Sequence, residues 1–561
     1  MDADGHSLKK QLLLWLLPLA FLAVFLFQPL GAVFGLAGQE AFSGGLEFNV
    51  EDRLLRPLAF TVWQAVLSTV LTLLVGLPAA YIFARFEFPG KQALRIITSI
   101  PFILPTVVTA AGFNALLGPR GWLNLALMDW FHLDSPPIAF LNTLGAILLA
   151  HVFYNTTIVI RVVGGAWAQL DSRLEHAGRV LGASPLRLLG EVTLPLLRPS
   201  ILAAGLLVFL FDFTSFGVVL LLGGPQYATL EVEIYIQALH MLNLPLAGLL
   251  SAIQLACTLI LTVLYTRLSR RQVIPLMPRL KGEGARRPRS WKDKVVVLVV
   301  ALTLVLLLVL PMTALAARSV TRLEADRGER GEVKTGFTLD YYRELFINRR
   351  QSLFYVPPIQ AAVNSLGYAG VTVLISLIMG SLAAYALSRP SRLNLWLDPI
   401  LMLPLGASAV TLGLGMIVVF NRPPLDVRNF PMLIPIAHSL VALPFVVRAI
   451  QPALQSIPPS LRQAASVLGA PAWRVWLEVD LPIIGRAVLA SAIFSFTISL
   501  GEFGATSFLA RPEVPTLPVA IFRFLSQPGA LNYGQAMAMA TILMLLCAGG
   551  ILVSERLTRR D

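Results

Sequence analysis

The amino-acid sequence predicts an all-helical membrane protein of twelve transmembrane helices, built as two parallel six-span repeats related by a pseudo-two-fold axis. Three observations carry that prediction. The 561 residues are 56% hydrophobic and 13% charged, with a mean hydropathy of +0.74, whereas soluble domains carry about 25% charged residues. Many apolar runs exceed the roughly 18 residues that read as a membrane span. The second half of the chain repeats the first. This composition excludes a soluble enzyme, a disordered chain and a fibrous protein.

Apolar windows place the spans near 11–35, 59–84, 94–117, 138–162, 199–222, 246–267, 294–317, 361–387, 396–420, 432–454, 486–509 and 535–556. The first follows Lys9 and Lys10. It is long for a signal peptide and has no clear small-residue cleavage site before Gln39, so it reads as a retained helix. Cys257 and Cys547 lie inside apolar runs, which gives neither a disulfide framework nor a zinc spacing.

The net charge of +13 would point to nucleic acid in a soluble protein. Here it fixes topology, because Lys and Arg near span ends are retained on the cytoplasmic side. With the N-terminus inside, the segment after the sixth span is cytoplasmic. It carries Arg267, Arg270, Arg271, Arg279, Lys281, Arg286, Arg287, Arg289, Lys292 and Lys294 against Glu283 and Asp293. Arg85, Lys91 and Arg95, and C-terminal Arg556, Arg559 and Arg560, agree. Loop 223–245 has Glu231 and Glu233 but no Lys or Arg, and faces outward. Loop 318–360 mixes both signs and is also expected outside. Arg422 and Arg428 are a mild exception.

The repeat is explicit. His151 through Arg161 aligns with His438 through Arg448 at an offset of 287. The same offset carries Gly182 to Gly469, Leu194-Pro195 to Leu481-Pro482, Phe216-Gly217 to Phe503-Gly504, and Thr229-Leu230 to Thr516-Leu517. Upstream, Ala79-Ala80-Tyr81 and Arg85 match Ala383-Ala384-Tyr385 and Arg389 at an offset of 304. Six spans per half give both halves one orientation, and a parallel repeat implies an axis along the membrane normal with a pathway at the interface.

The most informative segment lies between the fourth and fifth spans of each half. One copy reads His176-Ala177-Gly178-x3-Gly182-x9-Val192-x-Leu194-Pro195. The other reads Gln463-Ala464-Ala465-x3-Gly469-x9-Val479-x-Leu481-Pro482. Each predicts a polar helix ending at glycine, then a short helix. Ser184 is its expected N-cap, with Pro185, and likewise Pro471, at the first helical position. Leu186 and Leu189 in one copy, and Trp473 and Trp476 in the other, share a face at a spacing of three. Leu-Pro is expected to end the short helix before the next span. A rigid helix-turn-helix with an exposed apolar tip, present twice, is suited to docking into another protein.

Catalytic signatures are missing. The sequence has no G-x-x-x-x-G-K-[ST], no H-E-x-x-H, no nucleophile elbow and no Cys/His cluster, so no catalytic residue and no metal ligand is assigned. The matched His151 and His438 read as hydrogen-bonded structural residues. Asp212 and Glu502 are intramembrane acids near corresponding positions, and such costly groups default to a pathway role.

The two loops resemble the Glu-Ala-Ala-x3-Gly-x9-Ile-x-Leu-Pro signature of binding-protein-dependent ABC transporter permeases of the type I importer class. The resemblance spans nearly the whole chain as two fused permease halves. It implies that each loop is a coupling helix seated in a separate ATP-binding subunit, expected as a homodimer. ATP and Mg would bind that partner, no cofactor would bind this chain, and an extracytoplasmic solute-binding protein would deliver the solute. The sequence departs from the signature at His176 and Gln463, which replace the acid, and at Gly178, which replaces the second alanine. Neither His176 nor Gln463 offers a carboxylate for a salt bridge to the partner, while the docking shape implied by the resemblance is kept.

The resemblance implies a multi-pass protein of the cell inner membrane with both termini cytoplasmic, embedded in lipid and binding no nucleic acid. It gives type-1 transmembrane domains at 57–268 and 361–557, preceded respectively by a first span and outer loop (1–56) and a seventh span with a long outer loop (294–360). A basic, flexible cytoplasmic linker (269–293) joins them. Fused permeases of this type resemble those for ferric iron and thiamine, with polyamine and phosphonate systems as relatives. Leu222-Gly223-Gly224-Pro225-Gln226, Thr229-Leu230-Glu231, Ile234-Tyr235, Gly501-Glu502-Phe503-Gly504 and Thr516-Leu517-Pro518 are similar to thiamine permeases. Ferric-iron permeases have similar segments, so both substrates stay open. The alternative is a self-contained twelve-span secondary transporter of the major facilitator kind, which has no need of paired docking loops.

Overall fold

The computed structural model describes residues 13–42, 51–170, 177–269, 285–322, 336–348, 356–389, 391–421, 425–426 and 430–558. Ten helices among these are long and apolar enough to cross a membrane, and two bent pairs bring the total to twelve. The first half contributes Leu13–Phe42, Glu51–Arg85, the pair Lys91–Ile103 and Thr106–Phe131, Leu144–Gln169, Leu189–Phe213 and Leu244–Leu268. The second contributes Trp291–Arg318, Gln360–Leu387, the pair Arg392–Gly406 and Ala409–Val419, Leu433–Gln455, Trp473–Gly501 and Ala530–Gly550.

Four spans differ from the sequence expectation, and they do so in matched pairs. The third span bends by 113° and the ninth by 95°. At the first break Leu104 is extended before Pro105, the conformation that a following proline favours. At the second, Ser408 restarts the helix by accepting a hydrogen bond from the Thr411 N–H at 3.0 Å. The expected span 199–222 ends at Phe213, and Gly217–Leu222 is a separate short helix. Likewise 486–509 ends at Gly501 and resumes as Gly504–Leu509. Both broken spans also begin earlier than expected, at Leu189 and Trp473, inside the repeated glycine-ended loops.

Packing follows membrane rules, in which small residues let helices approach. The second and fourth spans of each half cross at a glycine. A Cβ on Gly76 would lie 2.6 Å from Cβ of Val159, and one on Gly380 would lie 2.5 Å from Cγ1 of Val446. The leading span of each half crosses to the other half. Leu13–Phe42 packs against Ala409–Val419, where Gly415 faces Pro29, and Trp291–Arg318 packs against Thr106–Leu117, where Gly112 faces Pro311. The halves are thereby interlocked.

Most of the basic linker lies outside the described residues; its C-terminal end is held. Arg286 accepts from the Glu87 N–H at 3.0 Å and donates its own N–H to Arg85 O at 2.9 Å. Its guanidinium also sits 5.3 Å from the Phe86 ring centroid. In the loop expected outside, Thr321–Arg322 pairs antiparallel with Gly336–Phe337.

Candidate functional site

The two loops expected to dock share one backbone geometry. Gly182 and Gly469 both have φ of +83°, which non-glycine residues adopt at a cost. The N–H of Gly182 donates to Arg179 O and that of Ala183 to Gly178 O; Gly469 and Ala470 repeat this with Ser466 and Ala465, all at 3.0 Å. This is a Schellman ending, and it sets the angle at which the short helix leaves. Ser184 is the expected cap, its Oγ accepting from the Arg187 N–H at 3.3 Å. Pro471 departs from expectation, since the short helix begins at Ala472 and the proline precedes its first residue.

A second correction concerns Leu194-Pro195 and Leu481-Pro482. They do not end the short helix. Instead Leu189–Thr193 and Trp476–Asp480 form π-turns that run directly into the spans, the Leu194 N–H donating to Leu189 O and the Leu481 N–H to Trp476 O. Proline lacks an N–H and clashes with the carbonyl four residues back. The wider turn accommodates both effects and makes the short helix a rigid extension of the span.

His176 lies outside the described residues, as does the side chain of Leu186. Ala177, Gln463, Ala464, Pro195 and Pro482 are exposed, while Ala465, Leu189 and Leu481 are half-buried. Leu194 is 37%, Trp473 64% and Trp476 39% exposed. Sequence reasoning missed the most exposed apolar residues of the loops, Val180 and Leu181 at 87% and 86%, and Val467 and Leu468, both at 87%. They occupy matched positions, and their signal was an apolar pair just before each glycine on an otherwise polar helix.

Asp212 and Glu502, 61 and 64 residues from their partner histidines in sequence, line one cavity between the halves. Its volume is about 420 Å³. His151 lies 2.8 Å from Ser215 Oγ and 3.4 Å from Asp212 Oδ1. His438 lies 2.8 Å from Ser499 Oγ and 3.2 Å from Glu502 Oε2. At the repeat offset, Asp212 matches Ser499 and Ser215 matches Glu502. Acid and serine have therefore exchanged places around the same histidine. The two acids are not equivalent in their bonding. Glu502 caps Gly504–Leu509, taking the N–H groups of Ala505 at 2.9 Å and Thr506 at 3.0 Å. Asp212 Oδ1 accepts from Asn155 at 2.6 Å.

A family described as binding-protein-dependent transport system inner membrane component matches residues 73–274 and 376–560, more than half of the chain. The chain belongs to this family. The thiamine transport system permease protein ThiP of Brucella abortus (strain 2308) is 28% identical, covering 96% of this chain and 94% of that protein. ThiP of Escherichia coli (strain K12) is 26% identical over 91% and 90%. A probable ABC transporter permease protein, y4fN of Sinorhizobium fredii, is 26% identical over 94% and 92%. A chain of the crystal structure of a bacterial alginate ABC transporter in complex with a pentasaccharide-bound periplasmic protein aligns at 21% identity. Its TM-score is 0.39, and the match covers 47% of this chain and 96% of that one. Membership makes this chain a fused two-half ABC importer permease and selects that reading over the self-contained secondary carrier.

Two further features of the permease went unread in the sequence. Buried Glu231 lines the same cavity, its carboxylate accepting from Gln254; its surroundings in sequence looked like an outward loop. Buried Asp480, at the base of the second glycine-ended loop, accepts from Arg462 Nε at 2.7 Å and from the Tyr385 hydroxyl at 3.1 Å. The first half has Thr193 at that position.

Proposed function

We propose that this permease carries thiamine inward, delivered by an extracytoplasmic solute-binding protein and driven by an ATP-binding homodimer docked on its two coupling loops. The docking reading is supported by one observation above all: the same Schellman ending presents an exposed apolar pair and a short helix in both halves. A helix fused through a π-turn to a span transmits a push from the partner without bending at the junction. ATP and Mg belong to that partner. The thiamine reading rests on relatives matched over nearly their full length and replaces ferric iron, polyamine and phosphonate as the first substrate to test. On this reading the protein sits in the inner membrane with both termini and the coupling loops cytoplasmic, and Asp212 lines the pathway, with Glu502 shaping it by capping a helix.

The deciding experiment is uptake of labelled thiamine by cells lacking their own thiamine transporter and carrying this permease with its neighbouring ATPase and binding protein. Concentrative uptake, lost when the ATPase is inactivated, is expected. Accumulation of ferric iron but not thiamine would refute the substrate. Failure of any ATPase to copurify with the permease would refute the docking.

A further inference from the structure

We propose that an anionic glycerophospholipid binds in a groove between the two halves at the linker end of the seventh span, its acyl chain along the groove and its phosphate beside Lys294. On the orientation proposed above this end is cytoplasmic; the site itself depends on neither that orientation nor thiamine as the substrate. The groove has a volume of about 450 Å³. Phe88, Leu94 and Ile97 of the first half form one wall, and Val297, Ala301 and Val305 of the seventh span form the other. Lys294 is the one charged side chain on the lining among the described residues. Lys294, Val297, Ala301 and Val305 recur every three or four residues, so they share one helix face. From Lys294 to Val305 that face runs about 16 Å, roughly the depth of one leaflet of a hydrocarbon core about 30 Å thick. An acyl chain lying along it starts at Lys294 and ends near the bilayer midplane.

The groove opens toward lipid. Its lining residues Leu298 and Val305 are 66% and 38% exposed, and only 22% of the apolar window of the seventh span is buried, the smallest share among the ten unbroken spans. Acyl chains cover such a surface whatever their headgroup; the rim selects the headgroup. Arg287, Arg289, Lys292 and Lys294 are exposed and make no ion pair among the described residues. The two acids beside them are already paired, Asp293 with Arg286 at 3.3 Å and Glu87 with Lys91 at 2.5 Å. Basic residues left uncompensated at the membrane end of a span attract anionic headgroups. The rim is held in place, because Arg286 is bonded through its backbone to Arg85 and Glu87, and the Ser290 hydroxyl caps the span by accepting from the Asp293 N–H at 3.1 Å. Trp291, 78% exposed beside Lys292, stands where an indole ring favours the headgroup level. A zwitterionic lipid would fill the groove and leave these cations without a counter-charge.

The test is photolabelling of the full-length permease in phosphatidylcholine nanodiscs doped with phosphatidylglycerol that carries a diazirine in one acyl chain. Labelled peptides should contain residues 88–97 or 294–305. A phosphatidylcholine probe with the same chains should label them about tenfold less. Lys294→Gln should lower labelling by phosphatidylglycerol about fivefold, the effect of removing one basic side chain at an anionic lipid surface, and leave the phosphatidylcholine probe unchanged. Ala301→Phe fills the groove without altering charge and should lower labelling by both probes. Inorganic phosphate, added against chloride at equal ionic strength, should leave the labelling as it was. Equal labelling by the two probes would overturn the proposal, as would labels spread evenly over the lipid-facing spans. Displacement by inorganic phosphate would replace the lipid with a free anion. Undiminished labelling of Ala301→Phe would reduce the site to diffuse attraction at the surface. Undiminished labelling of a monodisperse Lys294→Gln protein would also refute it, which decides the matter even where Ala301→Phe fails to fold. Thiamine uptake by cells is a separate measurement, and its failure would leave the lipid site standing.

Discussion

Phe216 and Phe503 are the same residue of the internal repeat, and their rings stack on one another with centroids 5.3 Å apart and 25° between planes. Each sits at the break where its span stops and a short helix begins. Symmetry mates can touch only where the pseudo-two-fold axis passes, so the stack marks that axis. Phe503 also contacts Phe522 at 5.4 Å, and both stacked rings are buried. Truncating either to alanine should destabilise the permease by about 3 kcal/mol. The double variant should fall short of additivity by about 1 kcal/mol, because one stack cannot be lost twice. Thermal unfolding in detergent measures both quantities, and strict additivity would mean the rings do not support each other.

The coupling loops should fail without unfolding the protein. Trp473→Ala or Trp476→Ala should weaken ATPase association by about 2 kcal/mol, more than Leu186→Ala or Leu189→Ala, since buried aromatic anchors dominate interfaces. Val467→Ser with Leu468→Ser should weaken it as well. Gly469→Val places a β-branched residue at φ of +83°, a strain of about 1–3 kcal/mol, and transport should drop while the protein stays in the membrane. Affinity for the ATPase dimer in detergent separates docking from anchoring at lipid headgroups, because anchoring tryptophans would leave it unchanged.

Gly178 departs from the alanine of the family signature for a reason the structure supplies. A Cβ there would lie 2.3 Å from Cδ2 of Leu188. The second half has Ala465 and Val475 at the two equivalent positions, a larger residue opposite a smaller one. Gly178→Ala alone should lower the stability of the first loop by at most about 1 kcal/mol, because the crowding falls on the terminal methyl of Leu188 and the helix propensity of alanine offsets part of it. Gly178→Ala with Leu188→Val should recover most of it. Transport activity and ATPase copurification of the three proteins test the compensation, and no rescue in the pair would refute it.

Asp480→Asn should weaken the second loop only. Asp480 is fully buried and its partner Arg462 is one-third exposed, so losing this charge-assisted bond should cost about 2 kcal/mol. Because Tyr385 ties Asp480 to the second span of its half, the expected outcome is more ATP hydrolysed per solute carried. An unchanged ratio would assign Asp480 to stability alone.

The orientation is tested at Gly336, an exposed residue of the short hairpin. Gly336→Cys should react with a membrane-impermeant thiol reagent added from outside. Labelling from the cytoplasmic side alone would invert the topology.

The amino-acid sequence by itself determined the number and order of the spans, the two-fold repeat and the glycine-ended loops. Hydropathy, charge bias and the need for a left-handed residue are properties of a few neighbouring residues, legible at Gly182 and Gly469 without any fold. Tertiary structure decided where the spans break. A window average over 199–222 or 486–509 is as apolar with a kink at Thr214 or Glu502 as without one, because hydropathy sums side chains and ignores backbone direction. The breaks bring Asp212, Glu231 and Glu502 to one cavity and exchange acid for serine around His151 and His438. They also set Phe216 on Phe503. Which apolar residues of a loop face outward, Val180 and Leu181 rather than Leu188, likewise depended on what the neighbouring helix covered, a contact between segments that no local pattern encodes.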